Sequence, residues 1–209
     1  MSERYTPRES YTGREFETDL FGRFKAIPGY QEELQKLVSR YGRMERIPFA
    51  EGVRLVRETS ADDPNDPKND FLKDLRIEIA DRLELPDEKV LAYTTQGTPV
   101  DFKGGDAIII VGANGREEVV TLDSSLNPKK LSGEQRGGDV VIGDVVPDPK
   151  NPMTKEQFAA QGKDVEKEYL RAVEGVALRV INILNERKKR KREGAGPQIS
   201  VWRAKEDRP

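Results

Sequence analysis

The chain has 209 residues, 35% hydrophobic and 35% charged, and its 36 Lys and Arg against 38 Asp and Glu leave a formal net charge of -2. It contains no Cys and no His, which excludes disulfide scaffolds, zinc-thiolate centres, cysteine nucleophiles, Ser-His-Asp triads and nearly every transition-metal site. The remaining chemistry belongs to carboxylates, Lys, Arg, Tyr, Ser and Thr, and any metal is expected to be a hard cation held by oxygen.

The balance of charge argues against a uniformly basic nucleic-acid coat while leaving room for a local basic patch. No apolar run approaches the roughly 18 residues of a membrane span, and the polar start has no apolar signal segment. The expected location is the cytoplasm, with no membrane partner.

Residues 1–18 carry few aliphatic side chains and are predicted to be a mobile polar arm, its end docked by Phe16, Phe21 and Phe24. Residues 19–65 read as short helical segments packing on the core. Leu34, Leu37, Val38 and Tyr41 recur at helical spacing over Gln31 to Tyr41, between Pro28-Gly29 and Gly42. Val53, Leu55 and Val56 mark another brief element, and the stretch from Ser60 to Asp70, with its acids and two prolines, reads as an exposed loop.

The core domain is assigned to residues 66–192. It opens with a helix on the stripe Phe71, Leu72, Leu75, Ile79 and Leu83, ending before Pro86. Strands are predicted at Val90 to Thr95, Asp106 to Val111 and Glu117 to Asp123, the last two joined by Asn114-Gly115, a strong hairpin signal. A fourth strand spans Asp139 to Val146. Thr154 and Gln157 form a candidate capping box for one long closing helix with the stripe Tyr169, Val173, Val176, Ala177, Val180, Ile181 and Leu184. Residues 193–209 form a polar tail. The predicted fold is therefore α+β (mixed α/β): a helix, a three-stranded antiparallel meander with the Asn-Gly hairpin, a fourth strand and a long C-terminal helix.

The hairpin carries a geometric consequence. A two-residue turn pairs Ala113 with Arg116, and counting back along both strands sets Asp106 opposite Asp123, on one face. Directly opposed residues hold their Cβ atoms about 4.5–5.5 Å apart. Two carboxylates that close repel each other unless a cation or a shared proton relieves them. The competing reading is that both acids simply cap strand ends in solvent.

A helix, a strand, then GGDAIIIV, a turn and EEVVTLDSSLNPKK resembles the core of the PD-(D/E)XK nuclease superfamily, also called restriction-endonuclease-like. In that family an Asp opens the second strand, and a second acid and a Lys, two residues apart, lie on the third. The resemblance implies that Asp106 and Asp123 are metal ligands. Ser125 stands where the Lys belongs, so Lys129 or Lys130 would serve as a migrated lysine, and Glu78 would be an additional helical acid. Asp101 is a further carboxylate near Asp106 in sequence. The family's helix after the third strand has no counterpart in SLNPKKLSGEQRGG, which reads as a loop. The implied activity is phosphodiester hydrolysis assisted by Mg²⁺ or Mn²⁺, by an endonuclease or a nuclease-like nucleic-acid-binding protein.

The run Arg187, Lys188, Lys189, Arg190, Lys191 and Arg192 is a candidate nucleic-acid contact, or else a solvated helix end favoured by the macrodipole. A rival reading makes the chain a non-enzymatic interaction or assembly protein, binding other chains or its own copies through the arms and the long helix.

Overall fold

The computed structural model describes residues 13–113, 115–125, 127, 130, 137–143, 148–150 and 152–194. A four-stranded sheet, β1 (Val90–Thr94), β2 (Ala107–Ala113), β3 (Arg116–Ser124) and β4 (Val140–Ile142), is ordered β1-β2-β3-β4. The first three strands form an antiparallel meander and β4 runs parallel to β3. Six α-helices accompany it among the described residues: α1 (Gly13–Phe21), α2 (Tyr30–Tyr41), α3 (Phe49–Thr59), α4 (Asp70–Leu83), α5 (Pro152–Ala160) and α6 (Val165–Arg192). The expected α+β class is the one observed. Among the described residues no helix is long and apolar enough to cross a membrane.

Strand alternation splits the sheet into two faces. Ala107, Ile109, Val111, Val120 and Leu122 pack with α1, α4 and α6, through Leu72, Leu75, Ile79, Val173, Val180 and others. Ile108 and Ile110 instead meet Val53, Val56 and Val100, on α3 and the turn before β2. Covered on both sides, β2 has no use for polar residues, which is why it reads AIIIV without alternation.

The local signals explain most boundaries. Asn69 accepts from the Leu72 backbone N–H at 3.0 Å to start α4, and Glu84, at φ 53°, ends it before Pro86. The expected single closing helix is instead two. Gly162, at φ 67°, terminates α5 with Lys163 N–H donating to Phe158 O at 2.9 Å, and Asp164 caps a new helix through Glu166 N–H at 2.9 Å. Thr154 therefore lies inside α5 rather than capping the long helix. At the other end of the chain, α1 begins at Gly13, so helix enters the segment expected to be an arm. Phe16, Leu20 and Phe21 are buried against the core, with Phe21 and Phe71 rings 6.1 Å apart.

Candidate active site

The register of the hairpin is the one the Asn-Gly turn requires: Ala113 pairs with Arg116, and the ladder runs on to Ala107 opposite Leu122. Gly115, at φ 73°, supplies the left-handed turn position. One step beyond the ladder stand Asp106 and Asp123. Both are buried, at 4% and 2% exposure, so the reading of two solvent-facing end caps fails.

The ladder closes in an unusual way here. Asp106 N–H donates to Leu122 O at 2.8 Å, while Ser124 N–H is received by the Asp106 side chain, at 2.7 Å. The Ser124 hydroxyl donates to the same oxygen at 2.9 Å. The carboxylate thus replaces a backbone carbonyl at the end of the strand pair.

Repulsion between the acids is relieved on each side differently. Burial, the largest cause, raises the Asp106 pKa to about 7; the Ser124 donors oppose the rise, and the Asp123 and Glu17 charges add to it. Asp123 is met by a cation: Lys130 Nζ lies 3.0 Å from Oδ2 and 3.3 Å from Oδ1. Of the two lysines the resemblance offered, Lys130 pairs with Asp123, and Lys129 lies outside the described residues. Ser125, at the motif's lysine position, is used structurally. Its N–H donates to Ile142 O at 2.9 Å and its hydroxyl accepts from Asn127 N–H at 3.1 Å, tying β3 to β4.

Glycines make room for this arrangement. A Cβ on Gly137 would sit 2.6 Å from Asp123 Oδ2 and 2.7 Å from a Val141 methyl, and one on Gly138 would sit 2.8 Å from Gly104 O. Gly137 and Gly138 thus close against Asp123, with Gly104 beside Gly138, a role that a pair of glycines in a loop does not announce in sequence.

Glu78 is not brought to the aspartates. That residue pairs with Arg82, whose guanidinium also reaches Glu174 on α6, a network on the helical side of the molecule. The acid that shares the electrostatic field of the aspartates is Glu17 on α1. Its pKa is raised, first by burial and then by Asp101 and Asp123, against the lowering effects of Gln96 and Lys130. Gln96, after β1, donates to Glu17 Oε2 at 3.4 Å. Composition concealed Glu17 inside a polar segment; the spacing of Phe16, Leu20 and Phe21 was the available signal that this segment docks. Asp101 accepts from Gly97 N–H at 2.8 Å and shapes the turn before β2.

The basic run is not brought to the aspartates. Arg187 donates to Val119 O at 2.7 Å and to Asp139 at 2.6 Å, and Lys191 pairs with Glu118. Lys189 and Arg190 face Glu193 and Glu186 along the helix, each at 3.9 Å. Lys188 and Arg192 line a groove at the turn end of the hairpin, opposite the end that carries Asp106.

Among the described residues no group of three or more acids is close enough to hold a metal by itself. A Mg²⁺ ion does not need one, since it retains several waters and commonly takes one or two carboxylates plus substrate phosphate. Two hard carboxylates at the end of a hairpin are the kind of donors that demand calls for. No family model, curated protein or solved structure matches the chain.

Proposed function

We propose that the protein is a Mg²⁺- or Mn²⁺-dependent nuclease. The observation that carries the reading is the Lys130 ammonium 3.0 Å from Asp123 at the strand end shared with buried Asp106. This constellation of two acids and a lysine agrees with the PD-(D/E)XK resemblance while using a lysine from outside the strand.

Asp106 and Asp123 would hold the cation, which supplies Lewis acidity toward a phosphate oxygen and lowers the pKa of a bound water. Lys130, tethered to Asp123, stabilises the negative charge that grows on the phosphoryl oxygens as water attacks and the bridging P–O bond breaks. Glu17, whose proton affinity burial raises, would take a proton from water on the α1 side. Burial of the aspartates keeps their geometry fixed and strengthens their field on a cation. The chemistry requires neither His nor Cys.

The test is cleavage of plasmid DNA, single-stranded DNA and RNA with Mg²⁺, Mn²⁺ or EDTA, comparing wild type with Asp123→Asn and Lys130→Met. Metal-dependent cleavage lost in both variants is expected. No cleavage of any substrate, or cleavage unchanged in both variants, refutes the proposal.

A further inference from the structure

At the far end of the sheet from Asp106 lies a groove of about 490 Å³ between the end of α4, the β2-β3 hairpin and the last turns of α6. Its floor is aliphatic: Leu83, Leu85, Val111 and Leu184. Val111 and Leu184 are fully buried, whereas Leu83 and Leu85 pack on the core with part of their surface still open. Its rim is cationic. Lys188, Lys191 and Arg192 share one face of α6, a turn beyond Leu184, and Arg116 faces them from the hairpin. Glu118 is the single acid among the described lining residues, and it is engaged by Lys191. Among the described residues no acid pairs with Arg116, Lys188 or Arg192.

We infer that this groove is a docking site for a protein partner, specifically an acidic peptide segment carrying an aliphatic or aromatic anchor. The apolar floor calls for a hydrophobic side chain, and charge complementarity calls for carboxylates on both sides of it. Cations bracket the floor from two elements, more than the single head of an anionic lipid would use. Nucleic acid suits the groove less well, because sequence-tolerant base binding relies on aromatic platforms and the floor has none. The groove also stands apart from the candidate active site. Val111 lies five residue steps from Asp106, about 17 Å at strand rise, and Asp106 shares its parity with Ile108 and Ile110, on the α3 face. The inference therefore does not depend on the nuclease reading.

The experiment is fluorescence anisotropy on the full chain with three labelled probes: an acidic peptide with central Leu and Phe anchors, the same peptide with both anchors replaced by Ser, and a single-stranded oligonucleotide. The anchored peptide should bind saturably, and loss of its anchors should weaken binding at least about tenfold. Lys188→Glu with Arg192→Glu should do the same, while Lys188→Arg with Arg192→Lys should retain most of the affinity. Leu85→Ser, on the open side of the floor, should weaken the anchored peptide and leave the anchorless one unchanged. The inference is overturned if the two peptides bind equally, if neither saturates by millimolar concentration, or if the oligonucleotide displaces the anchored peptide. Thermal unfolding of each variant establishes that it is folded, so that lost binding reports on the groove.

Discussion

Replacing Asp106 by Asn should stabilise the metal-free protein, the opposite of what most substitutions at a buried site do. Raising a carboxyl from its ordinary 3.8 to about 7, at about 1.4 kcal/mol per pH unit, corresponds to roughly 4 kcal/mol of cost for keeping the charge in the folded state. The Asn side-chain oxygen still accepts from Ser124 N–H and its hydroxyl, now 2.7 and 2.9 Å from the carboxylate. The value of about 7 already includes the strengthening of those bonds by the charge, so removing the charge should gain about the full 4 kcal/mol. Between the unfolded and folded pKa values the native state holds the extra proton, so this group favours folding fully below about pH 4, and the benefit is lost as pH rises through about 7. The difference between wild type and variant should therefore be near zero at acid pH and reach its full value by about pH 8. For a domain of this size that is a midpoint rise of roughly 8–16 °C, read by thermal unfolding in EDTA across the pH range. A variant less stable than wild type at pH 8, or a difference independent of pH, would show that Asp106 does not carry the burden its burial implies.

Three further outcomes follow from the same site. Lys130→Met leaves Asp123, 2% exposed, without its cation and should cost about 2 kcal/mol in urea denaturation, short of the full cost of breaking a buried pair because Lys130 is partly solvated. Gly137→Ala drives a methyl to 2.6 Å from Asp123 Oδ2 and should destabilise by about 1–3 kcal/mol, together with any metal-dependent activity; unchanged stability would mean that the backbone there yields freely. Glu17→Gln should lower metal-dependent cleavage by at least about tenfold, whereas Glu78→Gln, which breaks a partly exposed pair with Arg82, should change stability by under about 1 kcal/mol and leave cleavage unaltered. Equal effects of the two on cleavage would remove Glu17 from the site.

What the sequence by itself determined is what local chemistry dictates. Asn114-Gly115 between two β-branched runs set the hairpin and its register, and the register alone brought Asp106 and Asp123 to one strand end, because side-chain direction alternates with period two. The helix over the Phe71–Leu83 stripe followed from spacing and from Pro86. The break between α5 and α6 was also local, lying in Gly162 and Asp164, but the long apolar stripe beyond it obscured those signals. Only the tertiary structure decided which groups surround the aspartates. Glu17 lies far from them along the chain and arrives because Phe16, Leu20 and Phe21 bury α1 against the core; Glu78, on the preceding helix, is turned toward Arg82 and α6. Lys130 meets Asp123 from outside the strand, a pairing that strand alternation does not encode. Gly137 and Gly138 matter because a distant carboxylate packs where their side chains would be. The basic run showed its charge in sequence, yet its place beside an aliphatic groove, away from the aspartates, depends on how α6 crosses the sheet. Burial and long-range packing sum over many weak contacts between segments far apart in the chain, and no local pattern records which segments those are.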